Sequence, residues 1–196
     1  MNILEIFTNS ILLIITLDNE LWDIILLSLF VSFTALIIAS LLGFILGYYF
    51  AIYNFYFKKI ILIIINSLMG IPPVVVGLIV YFIFASGGPL GILQLLYTPS
   101  AMIIAQTIII FPIIASLSHE IFSKNWFEFK DQIRSLNIPF WGSVKLLFNH
   151  SYFLLITTLL SAFGRAISEV GAVMIVGGNI DPVSYTHLTL PTSCCV

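Results

Sequence analysis

The sequence predicts an all-α fold, a polytopic bundle of transmembrane helices, and two observations carry this prediction. Of the 196 residues, 60% are hydrophobic and only 8% are charged, and the mean hydropathy is +1.15. Soluble domains carry charges at about a quarter of their positions. The second observation is that three long stretches contain no Asp, Glu, Lys or Arg: residues 24–57, 60–118 and 146–164. Because a charged side chain in the bilayer core costs roughly 2.5 to 3.5 kcal/mol, such stretches are typical of membrane-spanning helices.

Taken in order along the chain, these stretches hold four helices, because a span needs about 20 apolar residues. Before them, residues 1–20 carry apolar side chains at helical spacing, which predicts a short interfacial helix. The stretch 60–118 is too long for one helix, and its Gly, Pro and Ser residues near 85–100 predict a turn. The predicted spans are approximately residues 22–53, 60–85, 100–118 and 151–177.

The basic residues predict the orientation of these spans. All Lys and Arg residues except Arg165 fall in two loops, one after the first span and one between the third and fourth: Lys58, Lys59, Lys124, Lys130, Arg134 and Lys145. Short loops that are rich in Lys and Arg stay on the cytoplasmic side. We therefore expect both loops to be cytoplasmic and the amino terminus to lie outside.

The longer of these loops, residues 119–150, has a helical pattern of its own. One apolar stripe repeats every three or four residues, at Phe122, Trp126, Phe129, Ile133 and Leu136. Pro139 disfavours helical backbone at Ile138, so a second helix is expected to begin after it. Two interpretations are open: an amphipathic hairpin that lies on the membrane surface, or a docking element for a cytoplasmic partner. The exposed aromatic anchors for docking would be Trp126, Phe127, Phe129, Phe140 and Trp141.

Two opposite charges lie inside the last span. Arg165 and Glu169 are four residues apart and would share one helix face, with Ser161 one turn before them. Arg165 is too deep to reach the cytoplasmic surface, so the pair must face protein or water. One interpretation is a structural ion pair that locks the bundle. The other is a permeation gate, which would also include Gly171, Pro72 and Pro73 as positions where helices bend or approach closely.

Other classes of function are disfavoured by what the sequence does not contain. No basic run is long enough for nucleic-acid binding. The three histidines are scattered, and there is no Cys/His cluster and no phosphate-binding Gly-Lys motif. We therefore expect no catalytic residue, no metal and no cofactor. The remaining polar groups at depth, Asn66, Ser67 and Gln106, are interpreted as interhelical hydrogen-bonding groups.

Several segments together carry a family resemblance. These are "NSLMGIPPVVVGLIVYFIF" (66–84), "SGGPLG" (86–91), "YTPSAMIIAQTIIIFPII" (97–114), "DQIRSLNIPFWGSVKLLF" (131–148) and "FGRAISEVGAVMIVGGNI" (163–180). They resemble the permease subunits of ABC importers, in the tungstate-type branch close to molybdate permeases. In the cytoplasmic loop, the family's Glu-Ala-Ala pattern is replaced by Asp131, Gln132 and Ile133. The family's glycine is replaced by Asn137, which also tolerates left-handed backbone.

The resemblance implies a homodimeric type I importer permease in the plasma membrane of a prokaryote. Its function would be to move an oxyanion, which is tungstate in this branch, from an external binding protein to the cytoplasm. A separate ABC ATPase subunit would supply the energy by docking on the cytoplasmic loop. The implied coupling residues are Asp131, Gln132, Ile133, Ser135, Leu136, Asn137, Trp141 and Gly142. The alternatives are transport of molybdate or another anion, or a non-ABC transporter or channel.

The resemblance covers residues 21–181, which we take as the permease domain with its coupling loop at 119–150. The family has one further span after the fourth, so the resemblance implies that a fifth helix is missing. The segment 182–196, "PVSYTHLTLPTSCCV", is polar and unlike the rest of the chain, and we interpret it as a non-native tail.

Overall fold

The computed structural model describes residues 19–178, and these form six α-helices, one short 3-10 turn and no strand. The helices are α1 (Asn19–Ile52), α2 (Lys58–Leu68), α3 (Pro73–Phe84), α4 (Pro99–Ser135), α5 (Phe140–Ser168) and α6 (Val170–Gly177), and the 3-10 turn is Gly91–Leu93. The predicted interfacial segment at 1–20, except for its last two residues, and the tail at 182–196 lie outside the described residues. The prediction of an all-helical fold is confirmed.

The centre of the bundle is the parallel pair α1 and α4, which approach closely through glycines. A Cβ atom on Gly43 would lie 2.8 Å from Ile114 Cγ2, and one on Gly47 would overlap Ser118 Oγ. Ser118 Oγ also donates a hydrogen bond of 3.1 Å to the Gly43 carbonyl oxygen. Because these contacts leave no room for a side chain, small residues allow the two long helices to pack backbone to backbone.

Helix α5 runs antiparallel to this pair and contacts both of its members. Near the start of α5, Ser143 Oγ lies 3.2 Å from the Tyr48 hydroxyl oxygen of α1. Further along, Asn125 Nδ2 of α4 donates a buried hydrogen bond of 2.5 Å to Ser151 Oγ. These interhelical hydrogen bonds satisfy polar groups that would otherwise be buried unpaired.

The second span was predicted as one helix over residues 60–85, and this is wrong because the structure has two helices there. Helices α2 and α3 are separated by residues 69–72 and are bent by 102° from each other. Pro72 has extended backbone and Pro73 occupies the first turn of α3, where its missing N–H costs nothing. Helix α2 packs on α4, whereas α3 packs mainly against α6, with Gly77 in contact with Ala172.

The other spans are found but their bounds differ. α4 continues without a break from Pro99 to Ser135, so the third span and the first helix of the predicted loop are one helix. The fourth span begins at Phe140 rather than near 151, and it is interrupted at Glu169 before α6. Within the described residues, three helices are long and apolar enough to cross a membrane, or four if the bent pair α2–α3 forms one span.

All six loop Lys and Arg residues lie at one end of this bundle. The end of α1 and the start of α5 are brought together there, as the Tyr48–Phe140 ring contact of 5.8 Å shows. Lys58 is close enough to His119 of α4 for their charges to interact. We refer to this end of the molecule as the basic end.

Candidate functional site

The irregular points of several helices meet in one layer near the middle of the bundle. Ile71, in the break between α2 and α3, lines the same small cavity as Pro112, the proline inside α4, and Arg165 of α5. On the other side of the break in the last span, Val74 of α3 lies against Gly171 of α6. Broken backbone at membrane depth is tolerated only inside protein or along a water-filled cavity. This middle layer is therefore the natural candidate for a site.

The predicted ion pair lies in this layer. Arg165 Nε is 2.9 Å from Glu169 Oε1, and the side chains are 39% and 15% exposed, respectively. The sequence predicted that the two residues share one continuous helix. In the structure they do not, because Glu169 has φ −92° and ψ 79° and separates α5 from α6. The salt bridge therefore spans a helix break.

The two charges face different cavities. Arg165 faces the small cavity beside the α2–α3 break, together with Ile71 and Pro112. Glu169 lines a larger cavity of about 280 Å³ between α1, α4 and the last two helices, together with Gln106. The pair thus forms a boundary with a cationic group on one side and a carboxylate on the other.

Gln106 is the most buried polar group beside the pair, with 1% of its surface exposed. Its Nε2 donates a hydrogen bond to the Ala166 carbonyl oxygen, in the last turn of α5. Its Oε1 has no hydrogen-bond partner within residues 19–178 and lines the larger cavity. Sequence analysis identified Gln106 as an interhelical group, and the structure confirms the interhelical hydrogen bond.

The other candidate gate residues lie at separate positions around the pair. They do not form one cluster with it. Ser161 is exposed on α5, one turn before Arg165. Gly171 is half-buried against α3, while Pro72 is exposed and Pro73 half-buried at the start of α3. The structure brings together the two helix breaks to which these residues belong.

The turn between α4 and α5 is the second candidate site, which we call the coupling hairpin (residues 131–142). α4 ends at Ser135, and Asn137 adopts left-handed backbone with φ 48°. The Ile138 N–H closes the turn by donating to the Ile133 carbonyl oxygen at 3.0 Å. Pro139 then caps α5, which begins at Phe140. The break and the left-handed asparagine are both confirmed.

The predicted coupling residues fall into two groups. Most are exposed at the tip, where Leu136 and Trp141 are 72% and 78% exposed and Asp131, Gln132, Ser135 and Asn137 are also exposed. Ile133 is only 6% exposed and supports the turn from inside. Gly142 is half-buried, since a Cβ atom there would lie 2.7 Å from Ile138 Cγ2.

The apolar stripe of this region does not lie on the membrane surface. Phe122 is fully buried and contacts Phe148 at 4.8 Å between ring centroids. Trp126 and Phe129 pack against the same cluster, so these two aromatic side chains are not available as docking anchors. Phe127, Phe140 and Trp141 remain exposed. α1 and α5 cover the stripe from Phe122 to Phe129, whereas Leu136 stays exposed, and this packing favours the docking interpretation over the surface-lying one.

Comparison with known proteins decides the family. The chain is 40% identical over 178 residues to the tungstate uptake system permease protein TupB of Peptoclostridium acidaminophilum, covering 91% of this chain and 78% of that protein. It is 38% identical over 172 residues to a probable anion ABC transporter permease protein of Haloferax volcanii, covering 86% of this chain and 74% of that one. This chain belongs to the ABC transporter permeases. A third permease, TupB of Campylobacter jejuni, is 37% identical over 142 residues, which are 72% of this chain and 58% of the relative.

Membership of this family has direct consequences for the interpretation. The chain is a multi-pass membrane permease of an ABC transporter, and the alternative of a non-ABC transporter or channel is excluded. No protein-family model matches this permease. Its relatives are transport subunits rather than enzymes.

One feature of this permease could not be found by sequence reasoning. Ser116 Oγ of α4 donates a hydrogen bond of 2.5 Å to Asn66 Oδ1 of α2, on the exposed side of the bundle. Asn66 was identified as a polar group at depth, but nothing in the sequence pairs it with a serine fifty positions later.

Proposed function

We propose that this permease carries tungstate from an external binding protein to the cytoplasm, driven by a separate ATPase subunit. The observation that carries the proposal is the 40% identity to a tungstate uptake permease across nearly the whole chain. A second tungstate uptake permease matches at 37% identity. Molybdate or another anion is the second candidate, because the relative from Haloferax volcanii bears only the name of an anion transporter.

The basic end supports one orientation. Its six Lys and Arg residues favour a coupling hairpin in the cytoplasm, and α1 would then begin outside. The turn Gly91–Leu93 lies at the opposite end, beside the end of α6, where the Tyr97 N–H donates to the Val176 carbonyl oxygen at 3.1 Å. In a prokaryotic plasma membrane, this outer end would meet the binding protein.

The coupling hairpin is the proposed contact with the ATPase. Its tip combines an exposed Trp141, an exposed Leu136 and the Asp131 carboxylate on a turn held by backbone hydrogen bonds. Exposed aromatic anchors on rigid backbone are typical of binding hot spots. Because α4 and α5 run unbroken from the hairpin to the middle layer, a movement of the tip would be transmitted there as a rigid-body shift.

The Arg165–Glu169 pair is the proposed gate, together with Ser161, Gly171, Pro72 and Pro73 around it. Closed, the pair neutralises the positive charge that a dianion would seek. When α5 moves relative to α6, the pair across the break would separate and Arg165 would become available to the anion. Because each permease supplies one such pair, a homodimer would place two guanidinium groups around one path.

Uptake by the assembled transporter tests this function. The permease, the ATPase and the binding protein are reconstituted in vesicles, and uptake of tungstate, molybdate and sulfate is measured with and without ATP. We expect ATP-dependent tungstate uptake that Arg165→Ala abolishes and Arg165→Lys retains in part. Wild-type rates in Arg165→Ala would leave the ion pair with a purely structural role, and no oxyanion uptake by the wild type would refute the proposed function.

A further inference from the structure

A polar stripe follows the seam between α2 and α4 from the gate to the basic end. Along α4, Pro112, Ser116, His119 and Ser123 are spaced by four, three and four residues, so they lie on one face of the helix. Pro112 lies beside Arg165 at the cavity of the middle layer. Pro112 and Ser123 are eleven residues apart, which corresponds to about 16 Å along the helix, roughly half of the bilayer core.

Each step of the stripe is tied to α2 or to its own helix. Ser116 Oγ donates to Asn66 Oδ1 at 2.5 Å. One turn further, His119 Nε2 lies 3.1 Å from Ser123 Oγ and is within electrostatic reach of Lys58. Lys58 Nζ in turn donates to Asn54 Oδ1 at 3.2 Å. The stripe is therefore continuous from the middle layer to the basic end.

The stripe offers donors and positive charge. Asn66 accepts through Oδ1, so the donor atom Nδ2 points to no acceptor within the described residues. Arg165 lies at the end of the stripe in the middle layer, Lys58 lies at the basic end, and His119 lies between them. The acidic neighbours are Glu169, paired with Arg165, and Glu120, which is exposed beside His119.

Lipid is an unsuitable neighbour for this face. Asn66 is exposed and follows a run of apolar residues at 60–65, and an amide in hydrocarbon costs several kcal/mol. A surface that presents amide and cationic donors fits an anion better than it fits acyl chains or a cation. The opposite cavity is lined by Glu169 instead, and its carboxylate would repel an anion.

We infer that the α2–α4 seam is the inner half of the permeation path, and that Asn66 and Ser116 form an oxyanion contact site between Arg165 and the cytoplasm. The inference rests on the proposed function, since it assigns to the same anion a route below the gate. The ligand class is a tetrahedral oxyanion, whose oxygens accept hydrogen bonds from Asn66 Nδ2 and from Arg165 once its salt bridge opens.

Thiol labelling in the reconstituted transporter tests the route separately from the function. In a background with Cys194 and Cys195 replaced by serine, Asn66→Cys and Ser116→Cys are treated with small methanethiosulfonate reagents, one anionic and one cationic. The matched control is Thr34→Cys on α1, where the native hydroxyl bonds only to the Phe30 carbonyl oxygen of its own helix. We expect the anionic reagent to react about tenfold faster at the two seam positions, as a positive field predicts, and saturating tungstate to slow that reaction. The control should show neither effect.

Two results would overturn the route. One is a reaction with the cationic reagent that is as fast as with the anionic one. The other is an absence of protection by tungstate in vesicles that do transport tungstate. If the wild type transports no oxyanion, the proposed function fails, and the charge preference of the reagents alone then decides whether the seam is an anion path.

A second pair of variants measures the same site by uptake. Asn66→Gln keeps the amide donor, whereas Asn66→Asp places a negative charge on the stripe and should lower uptake about tenfold or more. Equal uptake by the two variants, in transporters assembled to the same level, would contradict a contact between Asn66 and the anion.

Discussion

At the scale of single residues, the middle layer is organised by groups that act on a helix break. The break at Glu169 leaves carbonyl groups at the end of α5 without partners in their own helix. The Ala166 carbonyl oxygen accepts a long hydrogen bond of 3.4 Å from the Glu169 N–H, and Gln106 supplies a second donor to it. The same side chain leaves its own acceptor unpaired within the described residues, which indicates that its role lies in the donor group.

The donor role of Gln106 predicts different effects for two substitutions of similar size. Gln106→Met loses one hydrogen bond but also removes the unpaired acceptor, so stability should change by only about 1 kcal/mol. Gln106→Glu places a carboxylate against the Ala166 carbonyl oxygen and in the cavity of Glu169, which should cost about 3 kcal/mol or more. Thermal unfolding of the purified permease in detergent checks the order, and a glutamate variant as stable as the methionine variant would contradict it.

Asn137 gives a second test at the scale of one residue. Its φ of 48° lies in the left-handed region, which costs most residues about 1 to 2 kcal/mol and costs glycine nothing. Asn137→Gly should therefore preserve the hairpin, whereas Asn137→Val should destabilise it. Co-purification of the ATPase with each variant is the measurement. Equal binding by the valine variant would show that the turn geometry does not matter for docking.

At the scale of helices, the sequence predicted which helices exist better than it predicted where each helix begins and ends. The charge-free stretches located the long helices, because charges are excluded from the bilayer core wherever the helix crosses it. They did not predict that α4 continues to Ser135, since a helix that leaves the membrane keeps its backbone hydrogen bonds while its outer face becomes charged. Likewise Pro72 and Pro73 predicted a kink, but local sequence did not predict a bend of 102° that brings α3 mainly against α6.

The candidate site was predictable to a similar degree. Arg165 and Glu169 stand out from any apolar sequence, and their 2.9 Å contact follows from their spacing of four residues. The break between them was not predictable, because no proline or glycine marks Ser168 or Glu169. The contact between Asn66 and Ser116 depends on how α2 lies on α4, and local sequence carries no information about that.

The close packing of α1 on α4 leads to a prediction at this scale. A methyl group at Gly47 would overlap Ser118 Oγ and would lie 2.9 Å from the His119 backbone nitrogen. Gly47→Ala should therefore force the two helices apart and destabilise the bundle by about 1 to 3 kcal/mol. Combining it with Ser118→Ala removes the hydroxyl group but not the backbone contact. The double variant should therefore regain only part of the stability that Gly47→Ala loses. Thermal midpoints of the two single variants and the double variant measure the coupling, and full additivity would contradict a direct clash.

At the scale of the whole molecule, the two functional elements are connected by continuous helices. The coupling hairpin joins α4 and α5, and both helices continue without a break to the middle layer. Beyond that layer, the short helices α3 and α6 pack on each other, with a Cβ atom on Gly77 only 3.0 Å from the Ala172 Cα atom. The bundle thus has two long helices on one side of the middle layer and a compact pair of short helices on the other. Such a division suits alternating access, in which one side moves against the other.

This arrangement works only if the hairpin faces the cytoplasm, so topology is the decisive prediction. In the variant with Cys194 and Cys195 replaced by serine, a single cysteine is introduced either at Asn137, in the hairpin, or at Ile92, which is 94% exposed in the 3-10 turn at the opposite end. A membrane-impermeant maleimide added to intact cells should label Ile92→Cys and should label Asn137→Cys only after permeabilisation, because the six basic loop residues hold the hairpin inside. Labelling of Asn137→Cys in intact cells would mean that the hairpin lies outside, where it cannot contact a cytoplasmic ATPase. It would also reverse the direction of the proposed path.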